Sequence, residues 1–239
     1  MWLKYTNSGH LLITPEDDCK AIVDAMLVTD YKEEFCVADD FNPEFSARLM
    51  EAGFLLMSIK LNNGNYLMLP KLHLERSALF FENLHVKKSI RRILKNYELR
   101  ADVDFNRIIN RCVKKHGADW LTPPLVKCIK KIRKNSQKNK EAGGQLLPTE
   151  YAYPCCFAVY RNGKLAAGEF GVVCGRVYTS YSGFYDEDNA GTVQLILTAR
   201  YLQEHGFLFF DLGMPMDYKN DLGAVNISPE EFVNLFRFE

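Results

Sequence analysis

The alternation of apolar and polar positions is clearest between Pro154 and Ala224. Phe157-Ala158-Val159-Tyr160 and the run from Leu165 to Val173 flank Asn162-Gly163, a dipeptide that enters positive φ readily and suits a two-residue hairpin turn. The β-rich pattern continues through Tyr178, and Gly171 and Gly175 mark places where backbone bends or is closely approached. Between Asn189 and His205, the residues Val193, Leu195, Ile196, Ala199 and Leu202 recur at helical spacing, and Gly206 stands where a left-handed cap ends a helix. Phe207-Leu208-Phe209-Phe210 then reads as a buried strand that delivers an acid, Asp211, at its end. Strands, helix and strand in this order predict an α+β layer with the helix packed on the sheet.

Earlier in the chain, Thr14-Pro15-Glu16-Asp17 predicts a helix start with Thr14 as N-cap, leading into Ile22, Val23, Met26 and Leu27. Asn42-Pro43-Glu44 repeats that logic before Phe45, Leu49 and Met50, with Gly53 closing the helix, and Gly64-Asn65 predicts a hairpin between Leu55–Leu61 and Tyr66–Leu69. These elements make a small N-terminal domain over residues 1–75, ahead of a larger domain over 76–239. Val86, Ile90, Ile93 and Leu94, set among Lys87, Lys88, Arg91, Arg92 and Lys95, predict an amphipathic helix from His85 to Lys95 with a basic outer face. Asp104 caps a second helix through Ile108 and Ile109 to Gly117, and Thr122-Pro123 opens a third holding Leu125, Ile129 and Ile132. Lys134 to Gly144 reads as a mobile loop, and Ser228-Pro229-Glu230-Glu231 is a capping box for a terminal helix.

Composition bounds the class. The 239 residues, 47% hydrophobic, suffice for one sizeable domain or two unequal ones. No apolar run approaches the roughly 20 residues needed to cross a bilayer, and Met1 to Tyr5 lacks a secretory apolar region. A cytoplasmic protein that engages no membrane is expected. The seven cysteines are odd in number and never spaced C-x-x-C, which argues against a disulfide framework and a zinc site, and predicts buried, reduced thiols. Net charge is zero, yet residues 85–140 carry 17 Lys/Arg against 4 Asp/Glu, while residues 1–84 carry 7 against 13 and residues 141–239 carry 6 against 13. That basic block is either a surface for nucleic-acid phosphates or a solvated helical face.

Asp40-Phe41-Asn42-Pro43, Ala52-Gly53-Phe54, Leu84-His85-Val86, Ser89-Ile90-Arg91-Arg92, Asp119-Trp120-Leu121-Thr122, Tyr160 to Gly171, Asn189-Ala190, Phe210-Asp211 and Leu222-Gly223-Ala224 occur in an order that resembles leucyl/phenylalanyl-tRNA–protein transferases. The likeness runs over about residues 36–237. It implies an acetyltransferase-like (GNAT-like) C-terminal domain and a reaction that moves an amino acid from aminoacyl-tRNA to the N-terminal amine of a protein, marking that protein for degradation. An aminoacyl ester is already activated, so the resemblance implies no cofactor and no metal, only positioning and modest proton management. The implied partners are an aminoacyl-tRNA and a protein or peptide N-terminus, met by a monomer.

The same resemblance implies roles for particular residues. Asp211 matches the family's functional acid, Trp120 a tryptophan beside the tRNA 3′ adenosine, and Tyr178, Leu195, Leu202 and Phe210 the lining of the aminoacyl pocket. Lys87, Lys88, Arg91, Arg92 and Lys95 would hold tRNA phosphates. The chain departs from the family pattern at Gly213, where a glutamine is expected, and at Ser180-Tyr181-Ser182, where Tyr181 replaces an acid facing the substrate. Glu169 also falls where an apolar pocket residue is expected. Two alternatives stay open: a degenerate member that binds RNA or protein N-termini without turnover, and a GNAT-like acyltransferase of other specificity.

Overall fold

In the computed structural model, which describes residues 3–137 and 145–237, the elements run in chain order as follows. The first part holds β1 (Lys4–Tyr5), β2 (Leu11–Leu12), α1 (Cys19–Val28), α2 (Pro43–Glu51), β3 (Leu55–Lys60), β4 (Tyr66–Lys71) and β5 (Arg76–Leu79). Next come α3 (Lys88–Ile93), β6 (Tyr97–Ala101), α4 (Phe105–His116) and α5 (Pro123–Gln137). The last part holds β7 (Thr149–Arg161), β8 (Lys164–Gly175), β9 (Val177–Tyr185), α6 (Ala190–Glu204), β10 (Phe209–Asp211), α7 (Asp217–Asp221), β11 (Val225–Ile227) and α8 (Pro229–Phe236).

One seven-stranded sheet organises the molecule, in the order β11-β5-β10-β9-β8-β7-β6. Neighbours are antiparallel except β9 and β10, which run parallel because α6 crosses between them. The β7–β8 turn has Asn162 at φ 50° and Gly163 at φ 73°, the double positive that a primed hairpin needs. Gly206 caps α6 at φ 79°. The mixed α+β layer expected from the sequence is this sheet with helices on both faces.

The two faces bury different sets of residues. On one, α6 brings Ala199 and Leu202 onto Tyr153, Phe157, Val173, Tyr178 and Phe210, while Val193 and Ile196 meet Val86, Ile90 and Leu94 of the α3 segment. On the other, α4, α5 and the N-terminal elements pack on Phe170, Val172, Val177 and Phe209 as one continuous core running from Leu11 to Phe236. All seven cysteines are buried and none is in a disulfide, and burial pushes the Cys36 and Cys112 thiols up to about 12. No described helix is long and apolar enough to cross a membrane.

Several local expectations are corrected. Helix α1 begins at Cys19, not at Pro15: Asp18 is its N-cap and accepts from Lys20 N–H and Ala21 N–H, while Asp17 is drawn off by Thr14. The basic helix is shorter than His85–Lys95, covering Lys88–Ile93 before a 3₁₀ turn at Leu94–Asn96, and its N-cap, Lys87, offers no side-chain acceptor. Helix α5 persists to Gln137, into the expected loop, whose remainder at 138–144 lies outside the described residues. Ser228 caps α8 as expected, its Oγ accepting from Glu231 N–H at 3.2 Å.

Candidate functional site

Strands β9 and β10 pair from Val177 opposite Phe209 to Thr179 opposite Asp211, and the ladder stops there. A parallel pair that ends beside a crossover helix leaves a crevice beyond the last bonded residues, the usual ligand position in such sheets. Two polar clusters flank this fork, one on each face of the sheet.

The first holds Asp211, which is completely buried. Arg76 Nη1 on β5 donates to its Oδ2 at 3.2 Å, Thr179 Oγ1 donates to the same oxygen at 2.8 Å, and Gly213 N–H donates to Oδ1 at 2.9 Å. Gly213 sits at φ 69°, a region glycine enters freely. Arg76 is 2% exposed and spends its remaining capacity on Gly53 O and His73 Nδ1, with Phe232 stacked 3.8 Å from the guanidinium carbon. Burial, reinforced by the Arg76 charge, drives the His73 pKa far below its ordinary value, so the ring is neutral and its Nδ1 can accept from Arg76. Asp211 is thus the centre of a closed ion-paired network that joins β5, β9 and β10.

The second cluster lies under α6 and was only partly legible. Pairing skips Tyr181: Phe170 faces Ser182 and Gly171 faces Ser180, so β9 carries a bulge at this point. Tyr181 therefore turns to the N-terminal side, where its ring packs 5.9 Å from Phe170 and its hydroxyl accepts from Leu56 N–H at 3.3 Å. Ser180 turns to the α6 side and donates to Glu169 Oε2 at 2.6 Å. Glu169 is 1% exposed. Burial pushes its carboxyl up to about 7, against partial compensation from Ser180, Gln194, Thr198 and Lys219. Gln194 and Thr198 are themselves buried, one turn apart on α6, with Gln194 Nε2 donating to Thr198 Oγ1 at 3.0 Å. Polar residues four apart on the buried face of an otherwise apolar helix are the sequence signal for this cluster.

Glu169 gives the protein a pH signature. A carboxyl whose folded pKa stands above its unfolded one keeps a proton that the unfolded chain has released, so its contribution to stability falls as pH rises from 4.5 to about 7. The loss amounts to about 3 kcal/mol. Glu169→Gln removes it: urea unfolding free energies of parent and variant, compared between pH 4.5 and pH 8, should diverge by that order, and parallel pH curves would contradict the assignment.

The sequence-predicted substrate residues are not gathered in one place. Tyr178, Leu202 and Phe210 share a core on the α6 face, with Leu195 packed against it. Trp120 and Tyr181 pack against the opposite core, and the Trp120 carbonyl accepts from Ser58 N–H and Oγ–H. The basic residues fare differently. His85, Val86, Lys87, Lys88, Arg91 and Arg92 line a groove of about 530 Å³ at the surface, and Lys95 is exposed in the following turn. Lys87 is paired with Asp221 at 2.5 Å, whereas no salt bridge within the described residues involves Lys88, Arg91 or Arg92. The groove is braced from below: His85 N–H donates to Leu222 O at 2.9 Å, and a Cβ on Gly223, at φ 94°, would lie 1.9 Å from Asn83 O. Leu222-Gly223-Ala224 is thus a close backbone crossing that only glycine permits.

The family model described as leucyl/phenylalanyl-tRNA protein transferase matches residues 78–237, from within β5 to α8. The chain belongs to this family. Relatives carrying the family name include one from Pseudomonas putida (strain W619), 30% identical over 66% of this chain and 66% of its own length, and one from Azotobacter vinelandii, 28% identical over 66% and 65%. The match thus spans just under two thirds of those transferases. Solved structures that overlap this one include FemX, 10% identical with TM-score 0.48 over 95% of this chain and 81% of that one. A GCN5-related N-acetyltransferase from Kribbella flavida is 11% identical with TM-score 0.36 over 91% and 77%. The family match covers Asp211, Thr179 and Gly213 of the first cluster, the second cluster, the fork between β9 and β10, and the basic groove, whereas Arg76, His73 and Gly53 precede it. Among the described residues no group of three or more His, Cys, Asp or Glu is arranged to hold a metal ion.

Proposed function

We propose that the protein transfers an aminoacyl group from tRNA to the N-terminal amine of a protein, and that the product is thereby marked for degradation. The observation that carries this reading is the transferase-family match over residues 78–237. In the reaction the amine nitrogen attacks the ester carbonyl carbon, a C–N bond forms and the bond to the ribose oxygen breaks. The proton given up by the amine leaves with that oxygen. Holding amine and ester together supplies most of the acceleration such a reaction needs. The groove lined by Lys88, Arg91 and Arg92 would take the tRNA phosphates, and the larger domain at 76–239 would carry both substrates.

Asp211 enters this reading as a positioning residue. Its carboxylate spends both oxygens on Arg76, Thr179 and Gly213 and has no accessible surface, so it shapes the fork without reaching the amine. The same enclosure favours a second reading, in which the protein binds charged tRNA or protein N-termini without turnover. One assay separates them. The protein is incubated with a panel of tRNAs carrying labelled amino acids and with peptides of varied N-terminus; label should enter a peptide with a free N-terminal amine and not its acetylated twin. No label from any charged tRNA, in the presence of measurable tRNA binding, leaves the second reading standing.

A further inference from the structure

Lys219 is a buried cation beside the fork. It lies on α7, 6% exposed, and its ammonium donates to Leu212 O at 2.6 Å and to Met214 O at 2.5 Å. Among the described residues no backbone N–H donates to either carbonyl. Between them stands Gly213, whose N–H reaches Asp211 Oδ1. On its other side the segment is tied to β5, where Leu212 N–H donates to Ser77 O at 2.9 Å and Ser77 N–H donates to Gly213 O at 2.7 Å. The chain then emerges at Met214 and Met216, 53% and 44% exposed. Residues 212–214 follow directly on Asp211, where the β9–β10 ladder ends, so they form the β10-side lip of the crevice. Lys219 is itself firmly held. Its N–H donates to Met216 O at 2.9 Å, and its carbonyl accepts from Leu222 N–H and Ala224 N–H at 3.0 Å each. Leu222 and Ala224 belong to the crossing that braces the basic groove, and Asp221 beside them pairs with Lys87. An apolar side chain would fill the same volume without the cost of burying a charge, but it would leave the two carbonyls without a donor.

We propose that Lys219 is a positioning residue for aminoacyl transfer: anchored beneath the basic groove, it fixes the 212–214 lip of the fork where the reacting amine and ester meet. The inference rests on the transferase reading above and adds to Asp211 a second residue that acts on the same segment. Misplacing reacting groups by about 1 Å can cost on the order of 100-fold in rate, so the lip need move little for the loss to be large. Burial lowers the ammonium pKa to about 8, with Asp211 from β10 and Glu169 from β8 opposing the shift. Tyr218, on α7 itself, has its ring centroid 5.7 Å from Nζ. The hold on the lip therefore weakens as pH rises through about 8.

The test compares the full chain with its Lys219→Met variant in single-turnover transfer from leucyl- or phenylalanyl-tRNA to a saturating peptide, well below both melting midpoints. The variant should transfer on the order of 100-fold more slowly, while its tRNA affinity and salt slope stay those of the parent, because no groove side chain is touched. Between pH 7 and pH 9.5 the parent's advantage should narrow about tenfold or more as its ammonium loses the proton; titration of the acceptor amine is common to both chains and cancels in the ratio. Hydrogen exchange read by mass spectrometry needs no turnover: fragments covering 212–218 should exchange faster in the variant, and those of β7 and β8 should not. Should the variant fail to fold, the parent alone decides, since protection of 212–218 relative to β7 and β8 should drop over the same pH range. Equal transfer by the two chains, a rate ratio indifferent to pH, or unchanged exchange at 212–218 overturns the proposal and leaves the transferase. Loss of tRNA affinity in step with rate overturns it too, by making α7 a support of the groove alone. A parent that binds charged tRNA and transfers nothing, with exchange at 212–218 still dependent on Lys219, overturns the transferase reading and the positioning role with it.

Discussion

Asp211→Asn lowers the unfolding free energy by about 3–5 kcal/mol, because it strands the buried Arg76 guanidinium without a counter-charge. For a chain of this size that corresponds to a fall of roughly 10 °C in the melting midpoint. The expectation follows from enclosure: the ion pair is 3.2 Å long, its two side chains are 2% and 0% exposed, and no water can take over the lost charge. A double variant, Arg76→Met with Asp211→Leu, should recover much of the loss, since removing both charges of a buried pair costs far less than removing one. Calorimetric melting of the three variants completes the cycle; an Asp211→Asn protein within 1 kcal/mol of the parent on the order used here would mean that the network is open to solvent. For transfer itself, a positioning role predicts that Asp211→Asn, assayed well below its midpoint, keeps the parent's pH profile while losing rate. A shifted profile would instead make Asp211 a proton carrier.

Neutralising Lys88, Arg91 and Arg92 together weakens tRNA binding on the order of 100-fold at low salt and reduces the slope of log affinity against log salt by about 3. Each lost cation removes one released counterion, so the slope, more than the affinity, counts the phosphates engaged. Lys87→Ala should do less, because Asp221 already neutralises Lys87. A second triple variant on the opposite face of the sheet supplies the comparison. Lys127, Lys131 and Lys134 are exposed on α5, which packs with the N-terminal elements. Filter binding with one tRNA resolves the two faces: a larger slope change from the α5 variant would move the RNA to that side.

The residues of β7, β8 and α6 could be read from the sequence because their signals are local. Asn162-Gly163 fixes a turn, Gly206 fixes a helix end, and the apolar spacing between them fills in the rest. Strand β5 could not be read this way. Arg76-Ser77-Ala78-Leu79 has no alternation, and it is a strand only because it fills the slot between β10 and β11, a pairing made across more than 130 residues of chain. Strand β6 does alternate, as Tyr-Glu-Leu-Arg-Ala, a signal as local as those of β7 and β8. The site shows the same division. Asp211 stood out as an acid closing an apolar strand, while its partner Arg76 was invisible because the contact is tertiary. Glu169 was noticed only as a departure from a family pattern. That it meets Ser180 depends on the bulge at Tyr181, and no residue type in Ser180-Tyr181-Ser182 announces a skipped pair.

The seven buried thiols have a practical consequence. A thiol buried away from solvent reacts with an alkylating dye only when the surrounding structure opens. Cys19 and Cys36 report on the N-terminal packing, Cys112 and Cys128 on α4 and α5, and Cys155, Cys156 and Cys174 on the central strands. The molecule therefore comes with its own distributed set of opening clocks. One cysteine added at the surface, beside the basic groove, would label at once and alone, giving a single-dye reporter of RNA arrival with no prior removal of native residues.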